Sequence, residues 1–381
     1  MSLNKKKFKA CMILAALGDV IGFNNGKYEF NNSNEFSENI NGENFIDEGS
    51  NYSNYIIFDF FNICGFSNCP LPNMTISDDT IFHLSIAKAL IESYNNDNIL
   101  DVIQNNLVNE INTSEKITSM INKYAIGNIT LDSLKKINLG KNWINFPYNS
   151  NAGGTGGCMR TMCIGLVYPH IHQREYLIKL ALLSTRITHN NAIAWLGAIT
   201  SAFFISLAIN DIEPSKWIFE LMSLLESNII DDIVQNNLPN DYDNYIRDKK
   251  IFYDKWRKYQ QIRFDKYKFR EIKLMIFPNY RSKFYHETFA YNKNKIYPGA
   301  GGDDSVIIAY DCLLDAKDNW DKLVIYSMLH VGDSDTTGTI AGAFFGASYG
   351  ITKIAKIMVS NFKMSKELGN IGLELYNKLK N

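Results

Sequence analysis

Two short strings in the 381-residue chain concentrate oxygen ligands: Ser77-Asp78-Asp79-Thr80 and Asp333-Ser334-Asp335-Thr336. Each stands where a loop enters a helix. Ile81, Leu84, Ala87 and Ile91 recur at helical spacing after the first, and a glycine-rich helical run follows the second. Ser and Asp are favoured caps, worth ~1 kcal/mol each, and capping accounts for one such residue per helix. It does not call for two carboxylates and two hydroxyls at each. If both helix starts meet, their carboxylates repel one another in a cleft. Hard divalent cations relieve that repulsion. Carboxylate and hydroxyl oxygens, with no thiolate or imidazole nearby, suit Mg²⁺ (or Mn²⁺) rather than Zn²⁺. Two such ions could orient substrate oxygens and activate water. From spacing alone, capping and metal ligation both stand.

A second kind of site is written in glycine. Asn149-Ser150-Asn151-Ala152-Gly153-Gly154-Thr155-Gly156-Gly157 runs into Cys158-Met159-Arg160. Glycines let backbone N–H groups approach an anion, for which a pyrophosphate is a natural guest. No Gly-Lys-Ser/Thr follows and no strand precedes, so neither a Walker A loop nor a dinucleotide fingerprint is present. A structural turn explains the loop equally well. Pro298-Gly299-Ala300-Gly301-Gly302-Asp303-Asp304 is a third such segment, serving the same ligand or only turning the chain. His189 and His330 lie beside these motifs, and histidines so placed are more often structural than catalytic.

The elements that must carry these residues are helical. Pro214 suits a first helical position, with Trp217, Leu221, Leu224 and Leu225 following. Val306 to Leu314, Lys322 to Leu329 and Thr337 to Tyr349 read as further helices, and alternating β-branched runs are scarce. No Pro/Gly/Ser linker divides the chain. The expectation is an all-α, single-domain bundle over 1–381, with a mobile Asn-rich loop at 31–56. Gly338, Gly342, Gly346 and Gly350 recur every four residues. Glycine costs ~1 kcal/mol against alanine inside a helix, so the row implies close packing by another backbone. Asp241 to Arg270 reads as a solvated helix with an aromatic face.

Composition narrows the function. Hydrophobic residues make up 46% of the chain, and Lys+Arg 39 against Asp+Glu 40 leaves a net charge of −1. That balance offers no basic footprint for nucleic acid. Ala192 to Ala208 is nearly all apolar but shorter than the ~20 residues of a membrane span, so a buried helix is expected. Lys5-Lys6-Lys7 and the apolar residues after it allow a signal-peptide reading, yet no small-x-small cleavage site follows. A buried first helix ending near Gly18 is the preferred reading. The six cysteines show no Cys-x-x-Cys pair, and reduced thiols in a cytoplasmic protein are expected, with a Cys64–Cys69 disulfide as the alternative.

Taken in order, the motifs resemble the ADP-ribosylglycohydrolase family, and within it the ADP-ribosylarginine hydrolases. The likeness begins at Ala15-Ala16-Leu17-Gly18-Asp19-Val20-Ile21-Gly22 and Asn25-Gly26-Lys27-Tyr28-Glu29-Phe30. It continues through Ser77-Asp78-Asp79-Thr80, Pro147-Tyr148-Asn149-Ser150, Gly153-Gly154, Met159 to Leu166 and Arg186-Ile187-Thr188-His189. Ile308-Ala309-Tyr310-Asp311, Gly332-Asp333-Ser334-Asp335-Thr336 and Ile340-Ala341-Gly342 close it.

The resemblance implies an orthogonal all-α bundle with two Mg²⁺ held by Ser77, Asp78, Asp79, Asp333, Asp335 and Thr336. It places Glu29 at the cleft mouth and assigns catalysis to Asp78, Asp79 and Asp335. ADP-ribose is expected on Asn149, Ser150, Gly153, Gly154, Gly156, His189, Gly299, Gly301, Gly302 and Ser334. The implied reaction is hydrolysis of the N-glycosidic bond between ADP-ribose and arginine, by a monomer acting on modified protein away from membrane and nucleic acid. Sister activities of the same fold act on ADP-ribosylserine or O-acetyl-ADP-ribose, and a non-catalytic ADP-ribose binder is a further alternative. Gly157-Cys158, Asn190-Asn191-Ala192 and Tyr297-Pro298, with Lys293 and Lys295 nearby, depart from the family pattern.

Overall fold

The computed structural model describes residues 3–30, 55–63, 65–66, 73–112, 125–265, 268–269, 284–285, 288–289 and 297–380. Most of the Asn-rich stretch, Cys64, Cys69, Lys293 and Lys295 lie outside these residues. The last two positions of the expected loop, Tyr55 and Ile56, open a helical segment over 55–63.

The chain is all-α, as its periodicity implies. The first half holds α1 (Lys5–Phe23), α2 (Asp78–Ser93), α3 (Ile99–Ile111), α4 (Asn128–Asn138), α5 (Met162–Val167), α6 (Arg174–Arg186) and α7 (Ala192–Ile209). The second holds α8 (Pro214–Glu226), α9 (Ile229–Asn237), α10 (Tyr242–Arg263), α11 (Ser305–Ala316), α12 (Trp320–Ser327), α13 (Ser334–Tyr349), α14 (Lys353–Asn361) and α15 (Ser365–Lys378). One two-residue hairpin, Phe264–Asp265 with Lys268–Phe269, follows α10.

The centre of the fold is α1 laid against α13, the most extensive helix pair among the described residues. Both helices are almost wholly buried. The glycine row explains how they approach so closely. A methyl group on Gly342 would overlap Leu14 O, and one on Gly346 would overlap Ala10 O. From α1, Gly18 meets Gly338 O and Gly22 meets Ser334 O in the same way. Gly350, the fourth of the row, plays a different part: its φ of 74° ends the helix, and nothing packs against it. The contact at Gly22 brings the C-terminal end of α1 to the start of α13, where the second aspartate string lies.

The first helix is buried and runs to Phe23, five residues beyond Gly18. The apolar helix α7 is long and apolar enough to cross a membrane by composition, but all of it is buried inside the protein. Its Thr200 and Ser206 hydroxyls donate to Leu196 O and Phe203 O, each at 2.7 Å, within the helix. In α10 the aromatic face is interior: Tyr245, Phe252, Trp256 and Tyr259 are buried. Arg263, at the end of that helix, is fully buried and pairs with Asp311 at 2.7 Å and Asp315 at 2.8 Å.

Candidate active site

The first aspartate string is held from below by a carboxylate inside α1. Asp19 is fully buried. Its two oxygens accept from Ser77 N at 3.0 and 3.1 Å, and Oδ2 also accepts from Thr80 N at 3.2 Å and from the Thr80 hydroxyl. Ser77 caps α2, its Oγ accepting from Asp79 N at 3.1 Å. Just past α1, Asn25 adopts a left-handed conformation (φ 58°) and holds the preceding loop. Its Oδ1 accepts from Thr75 N and Oγ1, both at 2.8 Å, and its Nδ2 donates to Asn73 O at 3.2 Å. Ser77 and Asp78 are thus presented by a loop gripped once by α1 and once by the turn that follows it.

The second string is held mainly by backbone. Gly332 N donates to His330 Nδ1 at 3.0 Å, and His330 Nε2 lies 2.8 Å from Thr337 Oγ1, so this histidine fixes the turn. Asp333 N donates to Pro298 O at 3.0 Å. The Ser334 hydroxyl donates to Gly22 O at 2.9 Å, which ties α13 to α1. Phe30, another left-handed residue (φ 43°), donates its N–H to Gly332 O and delivers Glu29 to the same place. Carboxylate oxygens of Glu29, Asp333 and Asp335 lie within 4.8 Å of one another.

These carboxylates strongly disfavour one another's charge. Burial first, and then the charge of Asp335, hold Glu29, Asp78, Asp79 and Asp333 well above the usual carboxylate range. Asp335 is raised by burial, and Asp19 is pushed up to about 7 by burial and by Asp335. Among the described residues, Asp79 Oδ2 is buried with no hydrogen-bond partner, an arrangement that costs free energy unless something else supplies positive charge. A divalent cation does so with the right chemistry: hard oxygen donors, clustered and partly unpaired. The donor set therefore fits such an ion.

The cavity over this cluster has a volume of about 300 Å³. Glu29, Phe30, Asp78, Asp79, Asp333, Asp335 and Thr336 line one part; Gly154, Thr155, Gly156, Met159, His189 and Ala300 line another. The two glycine segments meet here: Gly154 and Gly301 form an antiparallel bridge, and Gly302 N donates to Gly153 O at 2.9 Å. None of the described lining residues is Lys or Arg.

The structure sorts the residues expected from sequence. Asp78, Asp79, Asp333, Asp335 and Thr336 share the cavity, with Ser77 buried behind them. Glu29, expected at the mouth, stands among the acidic oxygens themselves. Gly154, Gly156 and His189 line the cavity, whereas Asn149 and Ser150 lie on an exposed turn outside that lining. The N–H groups of Gly299 and Gly301 donate to Asp304 at 3.1 and 2.8 Å, and that of Gly302 to Gly153 O. With these three donors consumed internally, this loop cannot offer them to an anion; Ala300 is the member that lines the cavity. Ser334 likewise spends its hydroxyl on Gly22. Asp19 carried no role in the sequence reading. Its signal was a lone carboxylate inside an apolar helix, which burial makes expensive unless it is hydrogen-bonded.

The departures from the family pattern also find physical reasons. Gly157 is required because a methyl group there would collide with the Thr185 side chain. Asn191 caps α7, accepting from Ile193 N at 2.9 Å, and its Nδ2 donates to Asn149 O at 3.0 Å. Asn190 Nδ2 donates to Phe146 O at 2.8 Å. Tyr297 packs edge-on against Phe30, with ring centroids 5.5 Å apart. Arg186 is structural: it pairs with Asp241 at 2.8 Å and donates to the carbonyls of Trp143, Ile144 and Phe146. The four described cysteines, Cys11, Cys158, Cys163 and Cys312, are buried free thiols.

This all-helical fold with an acidic, cation-suited cavity faced by glycine loops agrees with the comparison of sequences: the ADP-ribosylglycohydrolase family model matches residues 2–380, which places the chain in a class of hydrolases. The chain belongs to the ADP-ribosylglycohydrolase family. It is 36% identical over 361 residues to the protein of Acanthamoeba polyphaga mimivirus named "Putative ADP-ribosyl glycohydrolase L444", covering 93% of this chain and 67% of that one. It is 30% identical over 401 aligned positions to the ADP-ribosylhydrolase ARH1 of Dictyostelium discoideum, covering 99% and 95%. Similarity to the mouse ADP-ribosylhydrolase ARH3 is 25% over 212 residues, about half of each chain. Among solved structures, an ADP-ribosylglycohydrolase-related protein complex matches with a TM-score of 0.55 at 15% identity over 98% of this chain and 99% of that one, a likeness of fold.

Proposed function

We propose that this protein is a divalent-cation-dependent hydrolase that releases ADP-ribose from modified arginine side chains. The observation that carries the reading is the convergence of Glu29, Asp78, Asp79, Asp333 and Asp335 on one cavity, with Asp79 Oδ2 unpartnered. Two Mg²⁺, or Mn²⁺, would be held by these carboxylates with Ser77 and Thr336. Bound there, they would neutralise the cluster and supply Lewis-acid polarisation of substrate oxygens.

The chain's own groups account for the rest. A ribose placed over the acidic floor would meet carboxylates that favour the positive charge developing on its ring. Asp78, Asp79 and Asp335 would serve that charge, and Asp79 Oδ2, without a partner among the described residues, would accept a proton from the attacking water. The diphosphate would lie away from this floor, against Gly154, Gly156 and His189. Support for arginine comes from the ordered motifs that resemble the ADP-ribosylarginine hydrolases; the match with ARH1 runs over nearly the full length of both chains, that with ARH3 over half.

The test is release of ADP-ribose from peptides modified on arginine or on serine, with Mg²⁺ and with excess chelator. Mg²⁺-dependent release from the arginine peptide alone is expected. Release from the serine peptide alone would transfer the assignment to the sister activity. Binding of ADP-ribose without turnover of either would replace it with a binding role.

A further inference from the structure

A fully buried cation stands behind the glycine face of the cavity. Arg160 has no exposed surface, and its Nη2 donates to Ser184 O at 3.1 Å, Thr185 O at 3.4 Å and Thr188 Oγ1 at 2.8 Å. Its Nε and Nη1 have no hydrogen-bond partner among the described residues. Thr188 Oγ1 in turn lies 2.8 Å from His189 Nδ1. The opposite edge of that ring faces the glycines. A methyl group on Gly156 would lie 2.5 Å from His189 Cε1 and 3.0 Å from Nε2, and one on Gly154 would lie 3.7 Å from Nε2. The His189 carbonyl is fixed by Trp195 Nε1 at 2.8 Å, and its N–H donates to Thr185 O at 2.9 Å.

The direction of this chain follows from what each group can do. A guanidinium only donates, so the Arg160 bond occupies an acceptor lone pair of Thr188. The Thr188 hydroxyl proton then needs an acceptor, and a buried donor without one is costly. Its one available acceptor among the described contacts is His189 Nδ1. That leaves Nδ1 unprotonated and the ring proton on Nε2.

We infer that Arg160 and Thr188 are positioning residues that lock His189 in its Nε2–H tautomer, making it a fixed neutral donor to an oxygen acceptor of the bound ADP-ribose. The ligand half of this inference rests on the proposed function; the tautomer half does not. Burial and the Arg160 charge pull the His189 pKa down to about 3, so the ring stays neutral over the working pH range. Glycine at 156 serves the same end: any side chain there would displace the ring. A cavity whose described lining holds no Lys or Arg thus meets an anionic ligand with an uncharged N–H, while the positive charge sits one hydroxyl behind it.

The experiment is long-range ¹⁵N–¹H correlation of the histidine rings in the full chain, with His189 assigned by the loss of its signals in His189→Gln. The wild type should show the Nε2–H pattern, unchanged between about pH 6 and 8. Thr188→Val removes the hydroxyl and should lose that pattern; Thr188→Ser keeps the hydroxyl and should retain it. Calorimetry with ADP-ribose should show roughly tenfold weaker binding for Thr188→Val and near-wild-type binding for Thr188→Ser, the scale of one hydrogen bond. An Nδ1–H pattern in the wild type, or an unchanged pattern in Thr188→Val, overturns the relay whatever the ligand does. The assigned tautomer without ADP-ribose binding by the wild type overturns the donor role and the proposed function, and leaves the relay standing.

Discussion

The two aspartate strings look alike in sequence and are held in opposite ways. Ser77-Asp78-Asp79-Thr80 is gripped by polar contacts, with Asp19 accepting from two backbone N–H groups and a hydroxyl and Asn25 anchoring the loop before it. Asp333-Ser334-Asp335-Thr336 is bonded mainly to backbone, Asp333 N to Pro298 O and the Ser334 hydroxyl to Gly22 O, at the end of a steric seam: α13 lies so close to α1 that only glycine is tolerated at Gly18, Gly22, Gly342 and Gly346. Both anchors belong to α1. One helix therefore fixes both halves of the acidic centre, one through the hydrogen bonds of a buried carboxyl group and the other through the lack of side chains. A site that concentrates mutually repelling carboxylates needs a rigid frame, and here the frame is shared.

The sharpest way to break the comparison is at the glycine seam. Gly342→Ala should cost about 3 kcal/mol, because the added methyl meets backbone on both rigid helices and nothing nearby can yield. Gly369→Ala, on α15, meets only Ile13 Cδ1 at 3.5 Å and should be neutral or slightly stabilising. Urea denaturation of both separates a seam from an ordinary helical glycine; equal midpoints would refute the steric account.

The polar anchor should respond more mildly in stability. Asp19→Asn replaces one acceptor oxygen with an NH₂ facing backbone donors, at about 1–2 kcal/mol, partly offset by relief of repulsion from Asp335. Divalent-cation affinity should fall more steeply than stability, since Ser77 and Asp78 lose their anchor. A variant with lowered melting temperature and unchanged Mn²⁺ affinity would show that Asp19 supports the fold alone.

The comparison can also be read in pH. Carboxylates raised by folding bind more protons in the native than in the unfolded state, so they favour folding at low pH and lose that contribution as pH rises through their folded values. For Asp19 and Asp304, both pushed up to about 7 chiefly by burial, the window runs from about pH 4 to about pH 7. Metal-free protein should lose stability across that interval, and Mg²⁺ should restore it. Thermal melts with chelator that show a rise over the same interval would contradict the sign.

Much of this was readable beforehand because it was local. Helix starts at Ser77 and Asp333, the helix after Pro214 and the apolar α7 follow from caps and periodicity, and the four-residue glycine row announced a backbone neighbour. What was hidden depends on which atoms are already spent. Ser334 carries a ligand-type hydroxyl in sequence, yet Gly22 O uses it. Gly299 and Gly301 look like an anion loop, yet Asp304 takes their N–H groups. Asp19 reads as one polar residue on a helix until burial reveals what it holds. Glu29 shows the reverse case: spacing gave it no metal role, and the turn at Phe30 folds it onto Asp333 and Asp335.

The central claim is that the two strings build one cation-binding centre. Titration of Mn²⁺ into metal-free protein, with free ion followed by electron paramagnetic resonance, tests it most directly. Two saturable sites displaced by Mg²⁺ are predicted, and they should be lost in a folded Asp79→Asn/Asp335→Asn variant. No saturable binding, or equal binding by that variant, would contradict it.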